Sequence, residues 1–122
     1  MLCEIKNIKQ YKNEPRRRWF YDDFFDLVIW SGDDNEIVGF QLCYDKTKEH
    51  RALTWHQGSG FLHNKVDDGE GDSRGAYKPI PILLIDGIFQ NEKIAKIFKK
   101  ESQNLEASIA DFIYEKLKNY SA

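Results

Sequence analysis

Three histidines and a run of acidic residues are the side chains of this chain best suited to chemistry. His50, His56 and His63 lie in one stretch, and Asp67 and Asp68 follow soon after it. Neutral imidazoles and carboxylates are the ligands of catalytic zinc, which keeps one position open for water. The sequence therefore offers a metal site made of His56, His63 and either Asp67 or Asp68, with hydrolysis as its chemistry.

The turn at Gly58-Ser59-Gly60 decides whether His56 and His63 can bind one ion. A two-residue turn pairs Trp55 with Leu62 and leaves the two histidines on the same face of a hairpin. A three-residue loop pairs Trp55 with His63 and sends them to opposite faces, because side chains alternate along a strand. The sequence leaves both registers open. On the outer face of a half-exposed sheet, histidines are more often solvated or hydrogen-bonded than metal-bound.

Residues 67–78 begin with four carboxylates and two glycines, in the order Asp-Asp-Gly-Glu-Gly-Asp. This spacing does not match the EF-hand calcium loop, whose ligands alternate and end in a bidentate glutamate. We interpret the segment as a flexible acidic loop in contact with solvent. The functional alternative is a lid beside His63 that orders when a ligand binds.

The segment Arg16–Tyr21, with the sequence Arg-Arg-Arg-Trp-Phe-Tyr, joins cations to aromatic rings. Proteins that bind single-stranded nucleic acid use this combination. Three aspartates follow closely, and the chain has a net charge of −2 and a pI near 5.9. We therefore expect the arginines to pair with nearby acids and the aromatic side chains to lie in the core, and we do not expect nucleic acid to be the partner. Arg16 and Arg18 remain candidates for gripping a phosphate or carboxylate.

Known catalytic and cofactor motifs are missing from the sequence. It contains no nucleophile elbow, Walker loop, dinucleotide fingerprint or zinc-binding cysteine pair, so we predict no cofactor. Cys3 and Cys43 are the two cysteines, and we expect both to be reduced thiols. The first residues show no apolar h-region and no cleavage signature, and the apolar run at residues 80–85 is too short to cross a bilayer. We expect a cytoplasmic protein without membrane contact.

The strands that would position these side chains are clearest between residues 24 and 57. Large apolar residues alternate there with smaller or polar ones, and Asp33-Asp34 form a turn between two such runs. This turn predicts the pairs Ile29–Val38, Leu27–Phe40 and Phe25–Leu42. A four-residue loop at 46–49 then predicts the pairs Leu42–Leu53, Phe40–Trp55 and Tyr44–Arg51. Three strands would thus share one apolar face.

The two ends of the chain supply the remaining elements. Residues 2–11 and 16–21 read as further strands, and residues 79–85 as a short buried strand or a helix entry. From residue 92 the apolar period is helical, with an interruption near Ser102 that favours two helices over one. Asn91 is a plausible cap for the first helix, and Ser102 or Asn104 for the second.

These elements predict one α+β domain over residues 1–122. Residues 1–66 would be rich in strands, 67–78 would form the acidic loop, and 79–122 would hold the short apolar segment and the helices. The fold would be an antiparallel meander of about five to seven strands, with one or two carboxyl-terminal helices on one face. The 41% hydrophobic and 31% charged residues are typical of a globular protein.

The sheet face away from the helices is predicted to be too apolar for plain solvent. It would carry Phe24, Val28, Trp30, Cys43, Ala52, Thr54, His56 and either Phe61 or His63. Either another segment covers this face or it binds something. We expect a non-enzymatic binding domain whose contacts include Trp30, His56, His63, Arg16 and Arg18. Its partner would be another protein, a second copy or a small molecule; the alternatives are the metal-dependent hydrolase and the single-strand binder.

Overall fold

The computed structural model of the protein describes residues 1–6, 8–10, 12, 14–67, 82–85 and 89–120. It contains seven strands and two helices in these ranges. The strands are β1 (Cys3–Ile5), β2 (Arg16–Tyr21), β3 (Phe25–Ser31), β4 (Ile37–Tyr44), β5 (Arg51–His56), β6 (Gly60–Asp67) and β7 (Ile82–Ile85). The helices are α1 (Asn91–Glu101) and α2 (Ala107–Lys118).

The strands form one antiparallel sheet in which each strand pairs with the next along the chain, in the order β1 to β7. This confirms the predicted α+β fold, the meander and the two carboxyl-terminal helices. The first strand is shorter than the segment 2–11 predicted for it, and the apolar run after residue 81 is a strand rather than a helix entry. No helix within the described ranges has the length and apolar character needed to span a bilayer.

The β3–β4 hairpin keeps the predicted face but not the predicted register. The observed pairs are Ile29–Phe40, Leu27–Leu42 and Phe25–Tyr44, a shift of two residues. The loop is longer than a two-residue turn, because the Gly32 amide donates to the Glu36 carbonyl at 2.8 Å and Asn35 has a φ of 64°. A bulge between Trp30 and Ser31 changes the register by one residue next to the loop. An even shift leaves every side chain on its original face.

The β4–β5 hairpin has the predicted register, with Leu42 opposite Leu53, Phe40 opposite Trp55, and Tyr44 opposite Arg51. Its loop closes on the Asp45 carbonyl, which accepts hydrogen bonds from the amides of Lys48 and His50. The apolar pattern fixes this pairing, since a slip of one residue would turn the apolar side chains of one strand to the other face.

The caps of the two helices differ from the predicted ones. Gln90 and Glu106 occupy the N-cap positions, and neither side chain caps its helix. Asn91 is instead the first residue of α1, and its side-chain amide donates to the Lys118 carbonyl at 3.0 Å. That hydrogen bond joins the start of α1 to the end of α2, so the Asn91 side chain connects two helices and does not cap α1.

The core lies between the two helices and one face of the sheet, which we call the core face. Phe25, Leu27, Ile29, Phe40, Leu42 and Leu53 contribute from the strands. The helices supply Ile94, Ala95, Phe98, Ile109, Ile113 and Leu117. The rings of Phe25 and Phe98 meet edge to face at 5.8 Å. The helical stripes therefore cover the apolar face that the strand pattern predicted.

Candidate interaction surface

The β5–β6 hairpin takes a register that neither of the two predicted turns produces. Trp55 pairs with Phe61, and His56 pairs with Gly60 across the loop at residues 57–59. Gly58 and Gly60 have φ angles of 87° and 82°, a conformation that favours glycine. In this register His63 pairs with Leu53 and lies on the core face, whereas His56 lies on the opposite face, which we call the outer face.

His63 belongs to the core. It is 7% exposed, its Nε2 atom is hydrogen-bonded to the Tyr44 hydroxyl at 2.6 Å, and its ring lies 5.2 Å from the ring of Phe89. Burial raises the pKa of Tyr44 to about 12; the charges of Asp45 and Glu49 act in the same direction, and Arg51 opposes them. The Tyr44–His63 pair thus satisfies two buried polar groups with each other.

The fold does not bring His56 and His63 together. His56 and His63 point to opposite faces of the sheet, so one ion cannot contact both. The side chain of Asp67, and Asp68 with the rest of the acidic loop, lie outside the described residues. Within the described residues, no group of three or more histidines, cysteines or carboxylates is arranged to hold a metal.

On the outer face the His56 ring lies tilted against the Trp30 ring, with the ring centroids 5.2 Å apart and the planes 31° from parallel. The two residues belong to β5 and β3, and Gly39 of β4 lies between them in the register. A Cβ atom at position 39 would approach the His56 Nδ1 atom at 2.7 Å and the Trp55 carbonyl oxygen at 3.0 Å. The missing side chain therefore gives the two rings room to meet across the central strand.

Replacement of Gly39 by alanine is expected to lower the free energy of unfolding by about 1–3 kcal/mol, the range for overpacking, because Gly39 is buried and the Trp55 carbonyl oxygen at 3.0 Å belongs to the backbone. The added methyl group must displace His56, so the ring-current shifts of its imidazole protons should also change in NMR spectra. The matched control is Gly32→Ala, where the nearest atoms belong to the movable end of Glu36. Equal losses of stability in the two variants, by urea denaturation, would contradict the packing argument.

Large apolar side chains are exposed on the outer face. Trp19 is 37% exposed, Tyr21 44% and Leu62 53%; apart from Met1, these are the exposed large hydrophobic residues of the described ranges. Trp19 pairs with Val28 and Tyr21 with Asp26, while Phe20 between them pairs with Leu27 and is buried. The expectation that all the β2 aromatic residues lie in the core is therefore wrong for Trp19 and Tyr21.

Cross-strand pairing arranges the outer face in three rows that run across the strands. The first row is Arg17, Trp30, Gly39, His56 and Gly60; the second is Ile5, Trp19, Val28, Gln41, Thr54 and Leu62; the third is Cys3, Tyr21, Asp26, Cys43, Ala52 and Asn64. Three outer-face residues of β5 and β6 are buried, namely Ala52, Thr54 and Asn64. The solvent-exposed parts of the outer face therefore lie around β1 to β3 and at the β5–β6 turn.

Besides His63, two residues predicted for the outer face lie on the core side instead. Phe24 precedes β3 in a bend and packs edge to face on Phe25 at 4.9 Å. Phe61 shares the face of Trp55 and meets the ring of Tyr120 at 5.1 Å. The bend before β3 and the unexpected register of β6 account for these differences.

The three arginines of β2 have different surroundings. Arg16 is exposed and makes no ion pair with the described residues. Arg17 lies on the outer face, and its guanidinium donates to the Lys9 carbonyl at 2.6 Å. Arg18 lies on the core side, where it binds both carboxylate oxygens of Glu4 at 3.0 Å and Glu106 at 3.1 Å. These contacts raise the pKa of Arg18 and lower that of Glu4, so Arg18 connects β1, β2 and the start of α2.

No family model, curated protein or solved structure matches the chain.

Proposed function

We propose that the protein is a non-enzymatic binding domain that works through the outer face of its sheet. The observation that carries the proposal is the placement of Trp19, Tyr21 and Leu62, three exposed large apolar residues, on that one face. Scattered single apolar residues are normal on a protein surface, whereas several on one face are typical of an interaction site. The helices already occupy the core face.

The surroundings of the candidate catalytic residues support binding over catalysis. Each of the two histidines predicted as metal ligands has an aromatic neighbour: Trp30 lies beside His56 on the outer face, and Tyr44 beside His63 on the core face. The charged residues of the outer-face rows in β2 to β6 are Arg17 and Asp26, and Asp26 forms an ion pair with Lys46 at 3.5 Å. Few charges and exposed aromatic rings together are typical of the centre of an interaction surface.

Site-specific photo-crosslinking in the cells that make the protein tests this proposal. A photoreactive amino acid at position 62 or 21, on the outer face, should form adducts of discrete mass with the natural partner. The matched control places the same amino acid at Gln103, which is exposed between the two helices. Adducts that form equally from both sides, or that do not form from the outer face, would contradict the proposal.

A further inference from the structure

We infer that the partner is single-stranded nucleic acid, which lies along β2 at the end of the outer face formed by β1 to β3. The inference rests on the proposed function, because it names what that face binds. It draws on the positions of three aromatic rings, on the charge of the surrounding segment, and on the different surroundings of the three β2 arginines.

Three aromatic side chains occupy successive rows of the outer face. Tyr21 stands in the third row, Trp19 in the second and Trp30 in the first. Neighbouring rows are two residues apart along a strand, or about 6.6 Å. Bases of an extended strand can stack on rings placed in this way, and stacking tolerates any sequence because every base has a π face. Trp19 and Tyr21 are exposed, so their rings are accessible.

The segment that carries Trp19 and Tyr21 is basic although the chain is acidic. Residues 1–21 contain six lysines and arginines and two glutamates, a formal charge of +4, which leaves −6 on the rest of the chain. One of the glutamates, Glu4, is held by Arg18. A local positive field of this kind attracts phosphate even when the net charge is negative.

The arginine contacts identify which cations can reach phosphates. Arg16 is exposed without an ion pair to the described residues, whereas the half-buried Arg17 donates to the Lys9 carbonyl. Arg18 is held by two carboxylates and is excluded from this role. Asp26, opposite Tyr21, has its charge offset by Lys46. A contact from Arg16 predicts a salt dependence with a slope of about −0.7, the value for one phosphate on a single strand.

Fluorescence anisotropy with labelled oligothymidylate and oligouridylate of about 15 nucleotides tests the inference. We expect both to bind with similar affinity, because stacking and phosphate contacts do not involve the sugar. Affinity should fall between about 50 and 200 mM salt with the slope given above. Trp19→Ala should weaken binding about 5- to 150-fold, the effect of losing one stacked base. Arg16→Gln should reduce the steepness of the salt slope by about 0.7.

Two control variants match these changes away from the outer face. Tyr114→Ala removes an aromatic ring from α2, and Lys96→Gln removes one exposed charge from α1. Neither should alter affinity more than about twofold, since neither position contacts the strand. Circular dichroism checks folding, and Tyr21→Ser replaces Trp19→Ala if that variant does not fold.

Each alternative result has a definite meaning. Absence of binding, or binding that is unaffected by both Trp19→Ala and salt, overturns the inference. If oligonucleotides do not bind while outer-face crosslinks give a chain-to-chain or other protein adduct, the partner is a protein and the proposed function survives. If neither oligonucleotides nor crosslinks are found, the proposed function fails as well.

Discussion

Truncation of Phe98 to alanine is expected to lower the free energy of unfolding by about 3–5 kcal/mol, the range for deleting a buried phenylalanine ring. Phe98 of α1 is 0% exposed. Its ring meets that of Phe25 in β3 edge to face, so the substitution removes this contact between α1 and β3 and leaves a cavity. Urea denaturation followed by circular dichroism measures the loss.

Lys96→Ala is the matched control, because Lys96 lies on the exposed side of the same helix. A surface change of this kind should alter stability by no more than about 0.5 kcal/mol. A loss below about 1 kcal/mol in Phe98→Ala would show that α1 is not packed on the sheet as described.

The raised pKa of Tyr44 predicts that the stability of the folded protein falls at alkaline pH. The pKa of Tyr44 is raised from 10.0 to about 12 in the folded protein, so its neutral form is favoured there. Above pH 10 the unfolded chain loses this proton while the folded chain retains it, and stability therefore falls as the pH rises from 10 to 12. About two pKa units correspond to about 2–3 kcal/mol.

Tyr44→Phe removes this loss, since phenylalanine has no proton to titrate. At neutral pH the variant should be less stable than the parent protein by about 1–3 kcal/mol, because the buried His63 Nε2 atom loses its hydrogen-bond partner. Between pH 10 and 12 the difference should shrink towards zero or reverse. The measurement is chemical denaturation across pH, with Tyr114→Phe as the control; a difference that does not change with pH would refute the argument.

The apolar pattern predicted the fold because it determines faces more strongly than pairings. The β4–β5 register could be predicted from both the turn and the pattern, and it is the one observed. At β3–β4 the pattern tolerates a shift of two residues, so it could not reveal the longer loop closed by Gly32 and Glu36. Both registers bury the same side chains, and only local backbone geometry chooses between them.

The candidate site was harder to predict because a shift of one residue between two strands moves a side chain to the opposite face. Two glycines flanking Ser59 allow several loops, and the observed one places His63 in the core rather than beside His56. The exposure of Trp19 follows from its alternation with Phe20, a signal that was present in the sequence but outweighed by the usual burial of tryptophan. The predicted roles of Asp67, Asp68 and the acidic loop stay predictions, since those side chains lie outside the described residues.

The start of the chain meets the junction between α1 and α2, where the Leu2 amide donates to the Glu101 carbonyl and the Asn104 side-chain amide donates to the Leu2 carbonyl. Every hairpin of the meander joins neighbours in the chain, so each can form early at low entropic cost. Joining β1 to the helix end closes a loop of about 100 residues, which is a slower step. We therefore expect the contact between Leu2 and the α1–α2 junction to form late in folding and to break first when the domain unfolds.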